Sequence, residues 1–107
     1  MTTAILMAAA STLLTCPSDD ARRPDPAQLR MSEVGVEVKP PRHVLPTVHG
    51  GKDGWFQLRK AKATPDAITG KIPANLMANA NLLFDRRSNR LTITGAHGDF
   101  TGICASQ

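Results

Sequence analysis

Alternation of apolar and polar residues predicts β-strands through most of the chain. Between Glu33 and Lys39, three valines occupy every second position, so that they share one face. Strict alternation of this kind is typical of a half-buried strand. Two prolines follow directly and end the strand, because proline cannot donate a hydrogen bond to a strand ladder.

Similar short segments recur toward the C-terminus, at 55–63, 67–72, 82–85, 90–94 and 99–104. Turn residues separate them, including Thr64-Pro65-Asp66 and a polar hairpin tip from Arg86 to Asn89. The spacing predicts an all-β fold, a small antiparallel meander that forms a sheet or a half-barrel. Residues 74–81 fit either a short helix or a strand. The positions that repeat with period two predict a core of Ile68, Ile72, Leu82, Phe84, Leu91, Ile93 and Phe100.

Residues 1–16 predict an export signal that forms an apolar helix. Positions 4–14 carry no charge, and Cys16 follows just before the chain turns polar and rich in proline. This order is typical of a bacterial lipoprotein signal, which is cut before the cysteine that is then acylated. The basic residues that usually open a signal are missing from Met1-Thr2-Thr3. Spanning a bilayer needs about 20 apolar residues, so the stretch is too short for a membrane helix.

A disordered tether is predicted at 17–32, where charged residues and prolines show no apolar periodicity. The folded part is then a small β-domain at 33–104. So short a chain buries little surface, and its stability is marginal unless a disulfide, a partner or a membrane supports it.

The two cysteines, Cys16 and Cys104, allow three interpretations. In the first, Cys16 carries a lipid and Cys104 is a lone thiol. In the second, the exported chain joins them in a disulfide. In the third, the protein stays in the cytosol and both remain reduced.

Charge allows an anionic partner without requiring one, since thirteen Lys and Arg face nine Asp and Glu, for a net charge of +4. Nucleic acid is not favoured, because aromatic rings for base stacking are scarce. A meander places several basic residues on one solvent face. The predicted patch for an anionic partner consists of Arg59, Lys60, Lys62, Lys71, Arg86, Arg87 and Arg90.

Two constellations with possible chemistry are not predicted to form sites. His43, His49, His97 and Asp99 have ligand chemistry but lie in loops, so we expect no metal and no cofactor. Cys104 with His97 and Asp99 suggests a nucleophile and its base, yet Cys104 has the strand parity of buried Phe100. No catalytic residue is therefore predicted.

The C-terminal half, from Trp55 to Cys104, resembles small uncharacterised exported, lipoprotein-like bacterial proteins. In these an Asp-Arg-x-Thr-Gly hairpin precedes a final Gly-x-Cys strand. Here Asp85-Arg86 and Gly102-Ile103-Cys104 match, while Ser88-Asn89 replaces Thr-Gly. The resemblance implies export and a β-rich fold, and it implies no activity.

Taken together, these patterns predict a non-enzymatic binding or accessory protein of the cell envelope that contacts a protein or an anionic polymer. It would be periplasmic, or anchored to the membrane through the lipid on Cys16. The alternative is a cytosolic basic protein that binds nucleic acid, in which the apolar N-terminus forms a core or oligomer helix.

Overall fold

The computed structural model describes residues 12–33, 35–41, 43–44, 52–73, 79–95 and 98–106. This part of the chain is all-β, with every strand pairing antiparallel. A short 3₁₀ turn lies at Lys52–Gly54. The strands are β1 (Thr12–Cys16), β2 (Ala27–Ser32), β3 (Gly35–Lys39), β4 (Phe56–Gln57), β5 (Arg59–Ala63), β6 (Ala67–Pro73), β7 (Asn79–Asp85), β8 (Arg90–Thr94), β9 (Phe100–Ile103) and β10 (Ala105–Ser106).

These strands form two five-stranded sheets, one in the order β10-β1-β2-β3-β4 and the other in the order β5-β6-β7-β8-β9. Two bent segments join the sheets, because only Leu58 separates β4 from β5 and only Cys104 separates β9 from β10. At the bends the Leu58 N–H donates to the Val36 carbonyl and the Cys104 N–H to the Asn89 carbonyl. The edge strand β4 of the first sheet thus leads directly into the edge strand β5 of the second, and β9 leads directly into β10.

All seven predicted core residues are buried, each at 3% exposure or less, which confirms the period-two assignments in the second sheet. The same cluster takes in residues of the first sheet, including Leu29, Val38 and Phe56. The apolar faces of both sheets therefore pack into one core.

The predicted disordered tether is wrong for its second half. Residues Ala27–Ser32 form β2, which pairs with β1 on one side and β3 on the other, and Leu29 is 0% exposed. Leu29 and Met31 alternate with polar residues, but the run is too short to stand out without its partner strands. The first half of the segment contains no strand, yet the Asp19 N–H donates to the Thr101 carbonyl and holds this loop on β9.

The end of the predicted signal is also part of the sheet. Residues Thr12–Cys16 form β1 rather than a helix, and Cys16 is fully buried. The rest of the predicted signal helix, at 1–11, lies outside the described residues, as do positions 74–78 of the segment left open between helix and strand. Positions 79–81 belong to β7. Among the described residues no helix is long and apolar enough to cross a membrane.

Candidate functional site

A groove with a cationic rim runs across the outer face of β5, β6 and β7. Its volume is about 470 Å³, within the range typical of ligand sites. We call it the lysine groove. It is lined by Lys60, Lys62, Thr69, Gly70, Lys71, Asn81, Leu82 and Leu83.

The strand register explains why these side chains meet. Lys62 pairs with Thr69, and Thr69 pairs in turn with Leu83 on β7. Two residues further along β6, Lys71 pairs with Arg59 on β5 and with Asn81 on β7. Residues directly opposite one another in an antiparallel sheet point to the same face, so these rows bring the basic residues together.

The groove concentrates positive charge that no carboxylate neutralises. Arg59 and Lys71 face each other directly, an arrangement that is unfavourable for like charges. The Lys71 ammonium donates to the neutral Asn81 Oδ1. In the described part of the chain, no Asp or Glu pairs with Arg59, Lys60, Lys62 or Lys71. An anion in the groove would relieve this repulsion.

A β-bulge shapes the rim of the groove. Between Arg59 and Lys62 the register shifts, with one more residue on β5 than on β6. Lys60 occupies this bulge with a φ of 54°, a left-handed conformation that side-chain-bearing residues rarely adopt. Bulges re-aim side chains, and here the bulge places a third lysine at the groove.

We expect Lys60→Gly to separate stability from binding. Glycine adopts a positive φ without steric cost, so the variant should unfold at the same temperature as the parent or several degrees above it, for a gain of up to about 1 kcal/mol. Binding of an anionic ligand should weaken, because one of the lysines is gone. Thermal melts and binding titrations on the same samples check the change in stability and the change in affinity. A clearly destabilised variant would contradict the assigned bulge.

The remaining residues of the predicted patch lie at the hairpin between β7 and β8, where two of the three are paired with carboxylates. Arg87 Nε lies 3.0 Å from Asp66 Oδ1, and Arg90 Nη1 lies 2.6 Å from Asp19 Oδ2. Arg86 donates to the Thr64 carbonyl. The single patch predicted from the sequence therefore divides into a group on β5 and β6 without carboxylate partners among the described residues and a hairpin group in which Arg87 and Arg90 are paired.

At the same hairpin Asp85 organises the turn. Its Oδ1 accepts hydrogen bonds from the N–H groups of Arg87 and Ser88. The bond from Arg87 is the main cause that lowers the pKa of Asp85 below its ordinary value. A lowered folded-state pKa means that this stabilisation is present above the pKa of the unfolded chain and is lost as the pH falls through the folded-state pKa.

Cys16 and Cys104 are joined in a disulfide, the pairing considered in the second of the three interpretations. The bond links β1 to the bend between β9 and β10, with both residues buried. One sulfur atom cannot carry both a disulfide and a lipid, so this structure is incompatible with acylation of the Cys16 sulfur. Cys104 likewise offers no thiolate for the nucleophilic arrangement considered with His97 and Asp99.

Two of the four residues considered as metal ligands belong to the described part of the chain. His43 and Asp99 line one small cleft, of about 200 Å³, whereas His49 and His97 lie outside the described residues. Within the described ranges, no three His, Cys, Asp or Glu residues are grouped closely enough to hold a metal ion.

A third cleft, of about 310 Å³, is lined by Arg30, Glu37, Asp53 and Trp55. The Arg30 guanidinium lies 4.1 Å from the centroid of the Trp55 ring, and its Nε lies 3.0 Å from Glu37 Oε1. The charges of Arg30 and Glu37 neutralise each other, and the contact between Arg30 and Trp55 holds the start of β4 against β2 and β3. We therefore assign them a structural role.

Sequence reasoning missed Thr69, Asn81 and Leu83 as lining residues. Alternation shows that they face outward, but only the register between strands shows that they adjoin the lysines. No protein-family model, curated protein or solved structure matches the chain.

Proposed function

We propose that the protein is a non-enzymatic binding module of the cell envelope that contacts an anionic polymer or surface through the lysine groove. One observation carries the proposal, the concentration of Lys60, Lys62 and Lys71 in one open groove without a neutralising carboxylate among the described residues. Unpaired cations that lie close together raise the local concentration of anions and steer them to the site.

The disulfide supports an exported location. Such bonds persist in oxidising compartments such as the periplasm and are rare in the cytosol. A buried bond between Cys16 and Cys104 is also a means by which a chain of this size gains stability outside the cell.

The shape of the groove favours an extended anion over a small one. The basic residues and their neighbours span three strands, and adjacent strands lie about 4.8 Å apart, so the rim extends over roughly 10 Å. The groove is open to solvent along this length. A ligand with repeated negative charges can contact several of the cations at once.

Nucleic acid fits the groove less well than other polyanions. Proteins that bind single strands combine cations with aromatic side chains on which bases stack. The lining residues supply ammonium, hydroxyl, amide and aliphatic groups and no ring.

Binding of dextran sulfate to the full chain tests the proposal, with neutral dextran as the ligand control. We expect binding that weakens steeply with added salt, because these contacts are solvent-exposed and are screened by ions. The double variant Lys62→Gln/Lys71→Gln should bind at least roughly tenfold more weakly and depend less on salt. For a comparison matched in charge, Lys62→Gln alone should also weaken binding, whereas Lys39→Gln, on β3 and outside the groove, should bind as the parent does.

Equal weakening by Lys39→Gln and by Lys62→Gln, which remove the same charge, would mean that overall charge and not the groove is responsible, and the proposal would fail. Single-stranded DNA in a parallel titration tests the alternative partner. Tighter binding of DNA than of dextran sulfate at equal salt would favour the nucleic-acid function instead.

A further inference from the structure

The lysine groove contains an exposed apolar side chain as well as cations. Among the described residues only Leu83, at 45% exposure, and Ile103, at 43%, are large hydrophobics left open to solvent. Leu83 lines the groove itself, opposite Thr69 in the register and next to the strands that carry the lysines. The exposed leucine and the lysines without carboxylate partners therefore lie in the same groove.

A soluble polyanion makes use of the charge alone. Sulfate, phosphate or carboxylate groups bind ammonium groups, but they gain nothing from an adjacent leucine. An anionic lipid surface presents both complements, with phosphate groups at the height of the headgroups and apolar chains directly beneath them. Basic residues beside an exposed aliphatic side chain are the combination that holds peripheral proteins to such surfaces.

We propose that the lysine groove docks onto a bilayer that contains anionic phospholipid, with the lysines on phosphate groups and Leu83 entering the interface. This inference rests on the proposed function and names the partner of the same site. Attachment of this kind is reversible and needs no covalent lipid, so it is compatible with the disulfide at Cys16.

Ile103 provides an internal comparison, since it has nearly the same exposure without the same surroundings. It lies on β9 opposite Arg90, whose guanidinium is already paired with Asp19. Ile103 lies on the same outer face of the sheet as Leu83 but two strands away and outside the lysine groove, and the cation opposite it is already neutralised. A general tendency of exposed hydrophobics to touch lipid would involve both residues, whereas docking through the groove involves Leu83.

Co-sedimentation of the full chain with vesicles tests the proposal. Vesicles of mixed phosphatidylglycerol and phosphatidylcholine should bind the protein, and vesicles of phosphatidylcholine alone should not. Leu83→Ser should weaken binding to the mixed vesicles by about tenfold, because the variant loses burial of an aliphatic side chain. Ile103→Ser should leave it unchanged, and Lys62→Gln/Lys71→Gln should weaken it by about twenty-fold or more. Melting curves establish that each variant is folded.

Three results distinguish docking on a lipid bilayer from the proposed binding of an anionic polymer. If dextran sulfate binds through the lysines but mixed vesicles do not, lipid docking is overturned and the polyanion-binding function stands. If Leu83→Ser and Ile103→Ser have the same effect on vesicle binding, the groove is not the docking surface. If neither dextran sulfate nor mixed vesicles bind, both proposals fail together.

Discussion

Deleting residues 1–32 should leave the remaining chain without a cooperative fold. The deletion removes β1 and β2, which lie at the centre of the first sheet between β10 and β3. It also removes the fully buried Leu29 and one partner of the disulfide. Because small domains are stable by only about 5–15 kcal/mol, losing two central strands and the cross-link exceeds what the rest can supply.

Circular dichroism and thermal melts check this expectation, with a chain that starts at Thr12 as the control. The control keeps every described strand and should melt sharply. A sharp transition in the chain lacking residues 1–32 would show that β3 to β9 fold independently and that 33–104 is the correct domain boundary.

Among variants with two substituted side chains, we expect the one that removes the disulfide to lose the most stability. The bond closes a loop of 88 residues, and in the chain-entropy model such a cross-link stabilises by roughly 4 to 5 kcal/mol. For a domain of this size that corresponds to a fall of roughly 15 °C or more in the melting temperature. Cys16→Ala/Cys104→Ala should show the full loss.

Reductant supplies the matched control for this experiment. Added to the parent protein, it should lower the melting temperature toward that of the double variant once both thiols can be alkylated, whereas the double variant should not respond. An intact mass lower by two hydrogen atoms than that of the reduced chain would identify the bond. A parent protein from the native host with a lipid on Cys16 would contradict the assignment.

Predictions for the second sheet succeeded because its strands are local and nearly continuous in sequence. From β5 to β9 each strand pairs with the next along the chain, so period-two patterning and turn residues suffice to identify them. Phe84 and Leu91, for example, are directly opposite each other across one tight hairpin and both are buried.

The predictions that residues 12–16 are helical and that residues 27–32 are disordered were wrong, because the strands there depend on pairing with other parts of the chain. Strand β1 pairs with β10 at the other end of the chain, Leu14 lying opposite Ser106. An apolar stretch that ends in a cysteine has the same composition whether it forms a helix or a sheet strand cross-linked to the C-terminal region. Two of the contacts that hold it in the sheet, the pairing with β10 and the disulfide, are with residues more than eighty positions away.

The candidate site shows the same division. Composition identified the basic residues, and alternation placed most of them on a solvent face. The hydrogen-bonding register decided that Lys62 and Lys71 share a groove with Leu83, and side-chain contacts decided that Arg87 and Arg90 are already paired. A one-residue bulge at Lys60, which alternation cannot detect, set the register on β5.

The sequence by itself determined the all-β class, the core positions of the second sheet and the chemistry available on its surface. These follow from local periodicity, which is a property of neighbouring residues. Tertiary structure alone decided that residues 12–32 belong to the fold, that the two cysteines meet, and which of the described cations have no carboxylate partner. Those outcomes depend on contacts between residues far apart in the chain, for which a single sequence carries no local signal.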